Sequence, residues 1–154
     1  MIKRIICSLV IFLLVGCSNY QINEDNKINI KIKSIGIDNI VTISSINDDI
    51  NGIVLFSEYG RPDSKLDNTI IGAHSGYGDN AYFNKLSLLK EGEKIEILYD
   101  GLIYLYEVKR VYEVSFEDTY ILDNDIYKKL TLITCKIGDI NKRIVVDASY
   151  IGKI

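Results

Sequence analysis

Three side chains of this sequence, His74, Cys135 and Arg143, are of types that can together cleave and re-form an amide bond. A free thiol has a pKa of about 8.5 and is only partly ionised at neutral pH, so a neighbouring histidine is needed to make the thiolate available. A fixed guanidinium can then stabilise the oxyanion that forms on the attacked carbonyl, or orient that carbonyl. Because arginine stays cationic throughout, the proton for the leaving amine must come from His74.

The surrounding residues predict that each of these side chains lies at the end of a β-strand. His74 ends the run that starts at Asn68, Cys135 ends the run 130–134, and Arg143 begins the last β-rich run. Functional groups often occupy such loop-facing ends of a rigid scaffold. Alternation along the second run predicts two opposite faces, with Leu130, Leu132 and Thr134 on one and Thr131, Ile133 and Cys135 on the other.

Each of the three residues also fits a purely structural role. His74 is the only histidine of the chain, and Cys135 is the only cysteine after residue 17. A single buried cysteine commonly behaves as a small hydrophobic residue. A lone histidine can be structural, and Arg143 by itself would fit a surface cation. Spacing alone therefore leaves both the catalytic and the structural interpretation open.

The hydrophobic pattern of the rest of the chain predicts an all-β domain with short helices. Isoleucines at 28, 30 and 32 alternate with polar residues, which is the period of a half-buried strand. Further strands are predicted over 40–43, 52–56, 69–73, 94–99, 102–115, 130–134 and 143–148. Eight short strands in one domain predict a closed or nearly closed β-barrel.

Three connections carry more specific predictions. Asp100-Gly101 is predicted to form a tight hairpin turn, because both residue types accept positive φ. Apolar residues at three- and four-residue intervals predict a helix over 79–90, capped by Asp79. A weaker helical turn is predicted over 123–129.

Composition narrows the classes of function. The net charge is −3 and the lysines are spread singly among acids, so no basic surface for nucleic acid is expected. Apolar residues make up 47% and charged residues 25% of the chain, which indicates a globular domain rather than a disordered one.

The first residues resemble the signal peptide of a bacterial lipoprotein. Lys3 and Arg4 precede an apolar run over 5–15, which is too short for a membrane-spanning helix. The Leu-Val-Gly-Cys sequence ending at Cys17 resembles a lipobox, in which the cysteine is acylated and becomes the new N-terminus. We therefore expect a signal peptide over 1–16, a lipid on Cys17 and a tether over 17–27. An uncleaved signal anchor is the alternative, and both put the domain 28–154 on the outer face of the membrane.

Two motifs resemble the sortase family of cysteine transpeptidases. Leu130-Thr-Leu-Ile-Thr-Cys135, followed by the strand-opening Arg143, is similar to the family signature TLxTC…R. Ile70-Ile-Gly-Ala-His74 resembles the family's histidine segment, with Ala73 between Gly72 and His74 as a small departure. With weaker matches over 82–95 and 32–37, the resemblance covers about residues 28–150 in the right order.

The resemblance implies an eight-stranded sortase barrel and a two-step reaction. Cys135 would cleave an LPXTG-like sorting signal between Thr and Gly and form a thioacyl enzyme. An amine of the peptidoglycan cross-bridge or of a pilin lysine would then resolve it. Ala73, Ser75 and Thr134, which flank the catalytic positions, are expected to help bind the substrate. The lack of a long helical insertion between Val114 and Leu130 disfavours the sortase class that carries one, and the lack of a pre-barrel lid with an aromatic plug disfavours a pilus polymerase. A housekeeping-like or small specialised sortase is therefore favoured.

The reaction requires no cofactor. Some relatives bind calcium, for which acids of two loops would have to converge, namely Glu58, Asp63, Asp67, Glu117 and Asp118. Scattered acids are more typical of a solvated surface, so calcium is the less favoured interpretation.

Two other functions compete with this interpretation. L,D-transpeptidases are also exported and β-rich, but they place Ser-x-Gly before the cysteine and the arginine about two positions after it. Here Leu-Ile-Thr precedes Cys135 and Arg143 follows eight positions later, which disfavours that family. Papain-like hydrolases have the cysteine before the histidine. The non-enzymatic alternative is a surface lipoprotein that binds a partner and merely buries Cys135.

Overall fold

A computed structural model describes residues 27–65, 67–123 and 127–154 of the chain. The predicted signal peptide, Cys17 and nearly all of the predicted tether lie outside these residues, as do 124–126 of the predicted helical turn over 123–129. The eight strands are β1 (Ile28–Ile32), β2 (Ile37–Ser44), β3 (Ile53–Phe56), β4 (Asn68–Ala73), β5 (Lys94–Tyr99), β6 (Leu102–Ser115), β7 (Lys129–Lys136) and β8 (Asp139–Lys153).

The strands close into a barrel in the order β1-β2-β3-β4-β7-β8-β6-β5, with β1 also pairing with β5. The predicted all-β fold class and eight-stranded barrel are confirmed. Two neighbouring pairs are parallel, β2 with β3 and β4 with β7, and the other pairs are antiparallel. Closure removes the exposed edges that an open sheet would present.

The barrel interior forms the main hydrophobic core. Its fully buried side chains include Ile30, Leu55, Ile97, Tyr106 and Leu132, which come from five different strands. Burial raises the pKa of the Tyr106 phenol, so this side chain stays neutral at physiological pH.

Strands β3 and β4 are buried on both faces, which explains why their sequences are almost continuously apolar. Leu55 and Ile71 face the barrel core, whereas Val54, Phe56 and Ile70 form a second cluster on the outer face. The segment between β6 and β7 covers part of this outer face, and its Leu122 packs against the second cluster.

The predicted hairpin is confirmed, but the predicted helix is wrong. Asp100 (φ 49°) and Gly101 (φ 72°) form the turn between β5 and β6. Within 79–90 the chain forms turns and a single 3₁₀ turn at Leu86–Leu88.

The spacing of the buried side chains accounts for this difference. Phe83, Leu86 and Leu89 are all buried in the main core, three residues apart. That interval matches the three residues per turn of a 3₁₀ helix better than the 3.6 of an α-helix. The backbone follows it: Leu86 N–H donates to Phe83 O at 3.1 Å, and Leu89 N–H donates to Leu86 O at 3.2 Å.

Candidate active site

Parallel pairing of β4 and β7 brings the histidine and the cysteine to the same end of the barrel. The register pairs Gly72 with Ile133, and His74 and Cys135 each lie two residues further along their chains. On the other side of β7, the antiparallel register pairs Cys135 directly with Arg143 of β8. Directly opposed side chains of neighbouring strands lie about 5 Å apart at Cβ. Three residues far apart in sequence therefore meet because of two strand pairings.

A cleft of about 410 Å³ is lined by His74, Cys135 and Arg143 together. Its floor is the outer face of β4 and β7, including Gly72 and Ile133. Its walls come from the loop after β2, the end of β3 and the segment after β6. They are mostly apolar: Ile46, Ile50, Phe56, Phe116, Ile121 and Leu122. An apolar cleft with a few polar groups at one end is typical of a binding site that orients its ligand.

The backbone around His74 is anchored by the segment that follows it. Phe83, which is buried, donates its N–H to His74 O at 3.1 Å. Asn84 accepts a hydrogen bond from Gly76 N–H at 2.7 Å and donates one to Gly76 O at 3.1 Å. These contacts fix the histidine loop, although the histidine ring itself is exposed.

The ring of His74 is oriented by a backbone carbonyl. Its Nε2 lies 3.0 Å from Ile50 O. A carbonyl oxygen can only accept, so Nε2 carries the proton in this arrangement, and Nδ1 is the free basic nitrogen of the neutral ring. Within residues 27–65, 67–123 and 127–154, no hydrogen bond joins His74 to Cys135.

Arg143 is held by backbone carbonyls of its own strand, β8. Its Nη1 donates to Ile140 O at 2.8 Å and to Lys142 O at 3.1 Å, and the guanidinium carbon lies 6.0 Å from the centre of the Phe116 ring. Among the described residues, Nε and Nη2 make no hydrogen bond. The guanidinium is therefore fixed through one nitrogen and keeps further donors for a ligand in the cleft.

Comparison with known proteins assigns the fold and the family. The sequence model described as "Sortase domain" matches residues 30–151. The chain belongs to the sortase family. The comparison with curated proteins found no match.

Solved sortase structures resemble the barrel over most of its length. A Clostridium perfringens sortase D5 transpeptidase is 27% identical with a TM-score of 0.71, covering 82% of this chain and 79% of that one. A lid mutant of sortase A from Corynebacterium diphtheriae is 26% identical with a TM-score of 0.74, covering 82% and 70%. Sortase E1 from Streptomyces coelicolor is 14% identical with a TM-score of 0.74, covering 83% and 89%, and shows likeness of fold alone. The chain is thus a sortase-type transpeptidase, which favours the enzyme over the binding module and the L,D-transpeptidase.

In this sortase, the three residues predicted to help bind substrate lie around Cys135. Ala73 and Thr134 line the cleft, whereas Ser75 lines a smaller cavity on the other side of Cys135. The Thr134 hydroxyl donates to Ala73 O at 2.8 Å, and the Ser75 hydroxyl donates to Cys135 O. Both hydroxyls therefore join the end of β4 to the end of β7, and substrate binding by these residues stays a prediction.

Gly72 allows close contact between β4, in the floor of the cleft, and Phe56, in its wall. A Cβ at this position would lie 2.8 Å from two ring carbons of Phe56, closer than real Cβ atoms come to another atom. The absence of a side chain therefore allows the Phe56 ring to pack closely against β4 beside the cleft.

The acids considered for calcium do not form a cluster. Among the described residues, no group of three or more His, Cys, Asp or Glu side chains is placed to hold a metal ion. Glu58 instead accepts hydrogen bonds from Ser45 and Ile46, and Asp118 accepts one from Ser115 N–H at 2.9 Å.

In the part of the chain that the structure describes, no helix has the length and apolar character needed to cross a membrane.

Sequence reasoning identified the polar residues of the cleft but missed its apolar walls. Ile46, Ile50, Phe116 and Leu122 lie in loops, where periodicity says nothing about which face is buried. One sequence feature could have indicated these walls: large apolar residues occur in short polar loops near the predicted strand ends.

Proposed function

We propose that this sortase cleaves an LPXTG-like sorting signal through a thioacyl intermediate on Cys135 and transfers the acyl group to an amine of the cell wall. The observation that carries the proposal is an apolar cleft that is lined by a thiol, an imidazole and a guanidinium together. These are the groups that the two half-reactions require.

In the first half-reaction, Cys135 Sγ attacks the carbonyl carbon of the scissile amide as a thiolate. Its proton has moved to His74, which gives an imidazolium. The C–S bond forms, the oxyanion collapses and the C–N bond breaks, while His74 returns the proton to the leaving amine. The product is a thioester on Cys135 and a free amine, so atoms and charges balance.

Arg143 stabilises the negative oxygen that develops between these two steps. Its guanidinium is already held by the carbonyls of Ile140 and Lys142, so little reorganisation is needed as charge develops. Its position directly across from Cys135 supports this role.

In the second half-reaction an amine attacks the thioester, His74 accepts its proton, and the thiolate of Cys135 leaves. A cavity of about 190 Å³ lies on the side of Cys135 away from the main cleft, lined by Ser75, Asn84, Ser87 and Glu113 among others. A second space beside the same sulfur supports a reaction with two substrates.

The apolar walls support a peptide with aliphatic side chains as the acyl donor. Burying a leucine-sized side chain contributes about 1.5–3 kcal/mol. Ile50, Ile121 and Leu122 offer the surface for such burial close to the thiol.

Mass spectrometry of the intact enzyme after mixing with a library of sorting-type pentapeptides tests this function. The expected result is a mass increase equal to the acyl part of one peptide, located on Cys135 and discharged by added amines. A panel that contains LPXTG-like peptides and leaves the enzyme unmodified, with no product released, would argue against the proposal.

Arg143→Ala is expected to lower kcat/KM for the best peptide by about 10²–10³-fold, because a donor to the developing oxyanion is lost. Arg143→Lys keeps the charge but not the planar fork, so it should recover only part of the rate. Steady-state cleavage of a quenched fluorescent peptide measures both. An unchanged rate in Arg143→Ala would remove this residue from the active site.

We also propose that a lipid on Cys17 anchors the enzyme to the outer face of the membrane, because the sequence ending at Cys17 resembles a lipobox. Two acyl chains give stable anchoring. Cys17→Ala is expected to move the protein from the membrane fraction to the soluble fraction or to change its processed mass. Fractionation and intact-mass measurement check this, with Cys7→Ala as the matched control. A Cys17→Ala protein with unchanged location and mass would favour an uncleaved signal anchor.

A further inference from the structure

A buried polar group lies under the wall of the cleft, away from the thiol. Asn68, the first residue of β4, is fully buried, and so is Thr131 of β7. The Thr131 hydroxyl donates to Asn68 Oδ1 at 2.8 Å. Burying a side-chain amide is unfavourable unless its donors and acceptors are paired, so this arrangement needs an explanation in terms of its partners.

The partners of the Asn68 amide nitrogen belong to the segment between β6 and β7. Nδ2 donates to Ile121 O at 3.1 Å and, in a longer contact, to Asp123 O at 3.4 Å. An amide nitrogen has two N–H groups, so it can donate to both carbonyls. The hydrogen bond from Thr131 fixes the orientation of the amide, because only the oxygen can accept it.

The anchored segment forms one wall of the cleft. Phe116, Asp118, Thr119, Ile121 and Leu122 all line the cleft. Phe116, at the start of the segment, is held to β8 by its N–H on Asn141 O at 2.9 Å. Beyond Phe116, the only regular element among the described residues is the 3₁₀ turn Tyr120–Leu122, so no strand pairing sets the height of that part of the wall above the sheet.

Asn68 is too far from the thiol to act on it directly. Asn68, Ile70, Gly72 and His74 follow one another on the same face along β4. Six residues of extended strand correspond to about 20 Å. Asn68 therefore lies under the end of the cleft wall that is farther from Cys135, and His74 lies at the end that is near Cys135.

We propose that Asn68 is a positioning residue, which sets the β6–β7 wall of the cleft through Ile121 O and Asp123 O and thereby determines the affinity for the acyl-donor peptide. This inference rests on the proposed function of the cleft. Thr131 supports Asn68 by fixing the direction of its amide. His74 is held by Phe83 and Ile50. The Arg143 guanidinium is held by Ile140 O and, among the described residues of the wall, contacts only Phe116 at its start, so we expect little change in the chemistry.

Asn68→Asp is the sharpest test, since it keeps the size of the side chain and replaces the NH₂ group with an oxygen. The buried acid keeps at most one donor, its O–H when protonated, so at least one of the two carbonyls loses its partner and the wall should move away. We expect KM for the best cleaved peptide to rise at least tenfold. We expect kcat, and the rate of Cys135 alkylation by iodoacetamide, to stay within about twofold. Asn39→Asp on β2 is the matched control and should change neither parameter.

Thr131→Val provides a second variant that is isosteric and removes only one hydroxyl, so it tests the same idea if Asn68→Asp does not fold. It should raise KM by a smaller factor, about two- to fivefold. An unchanged KM in either folded variant, or a fall in kcat and alkylation rate as large as the rise in KM, would overturn the positioning role.

Hydrogen exchange separates this inference from the proposed function. Asn68→Asp should speed amide exchange within 116–123, with β7 and β8 unchanged. If the wild-type enzyme cleaves no sorting-type peptide but this local effect is seen, the proposed function fails and the anchoring of the wall stands. If exchange in 116–123 is unchanged, Asn68 does not position the wall, whatever the substrate.

Discussion

Replacing Cys135 with alanine is expected to abolish peptide cleavage and acyl transfer, with a loss of at least about 10³-fold in kcat/KM, or roughly 4 kcal/mol of transition-state stabilisation. The physical reason is that no other group of the cleft can form the thioester. Cys135 is the only free cysteine among the described residues, and it lies at the junction of the cleft and the smaller cavity. A quenched fluorescent peptide assay measures the loss, and intact mass shows whether any acyl-enzyme forms.

The fold should survive this substitution, which makes the result easy to interpret. Cys135 is only partly buried, and its backbone carbonyl, not its sulfur, accepts the hydrogen bond from Ser75. We therefore expect Cys135→Ala to unfold within a few degrees of the wild type by circular dichroism. Cleavage that persists in this folded variant would eliminate Cys135 as the nucleophile.

Replacing His74 with alanine is expected to lower kcat by about 10²–10⁴-fold, the usual contribution of a general acid–base group. Two effects combine: the thiol loses the group that accepts its proton, and the leaving amine loses its proton donor. The rate of Cys135 alkylation at neutral pH should also fall, because less thiolate is present. A peptide-cleavage assay measures the loss in kcat, and iodoacetamide labelling measures the loss in thiol reactivity.

Tyr77→Ala is a suitable control for His74→Ala. Tyr77 is fully exposed and lies in the same loop, three residues after His74. It should keep both rates within about twofold. If Tyr77→Ala impaired activity as strongly as His74→Ala, the loop conformation rather than the imidazole would be responsible.

Candidate residues for the chemistry could be named from the sequence because chemistry depends on residue types. One histidine, one thiol after residue 17 and a strand-opening arginine left few candidates, and the resemblance around Cys135 indicated the family. Strand periodicity also predicted the elements, since alternation is a local property: Leu132 faces the barrel core and Ile133 the outer clusters, as expected.

The pairing of strands that are distant in sequence could not be predicted from these local patterns. Which strands become neighbours depends on the closure of the whole barrel, and the parallel pairing of β4 with β7 is what puts His74 beside Cys135. The same limit explains the helix wrongly predicted over 79–90. Its apolar spacing fitted a helical surface, but anchoring Phe83, Leu86 and Leu89 in the barrel core selected turns and a 3₁₀ turn instead.

The sequence by itself determined which side chains are candidates for the transpeptidation, and it placed His74 and Cys135 near the ends of β4 and β7. The prediction that Arg143 opens the last strand is wrong, because β8 begins at Asp139 and Arg143 lies inside it. Only the tertiary structure decided what surrounds these side chains. Most of the apolar walls of the cleft, the carbonyl of Ile50 that orients His74, and the carbonyls that accept from the buried Asn68 come from loops that pack on the outer face of the barrel. Loop packing depends on contacts between residues distant in sequence, and no periodic pattern in the chain encodes them.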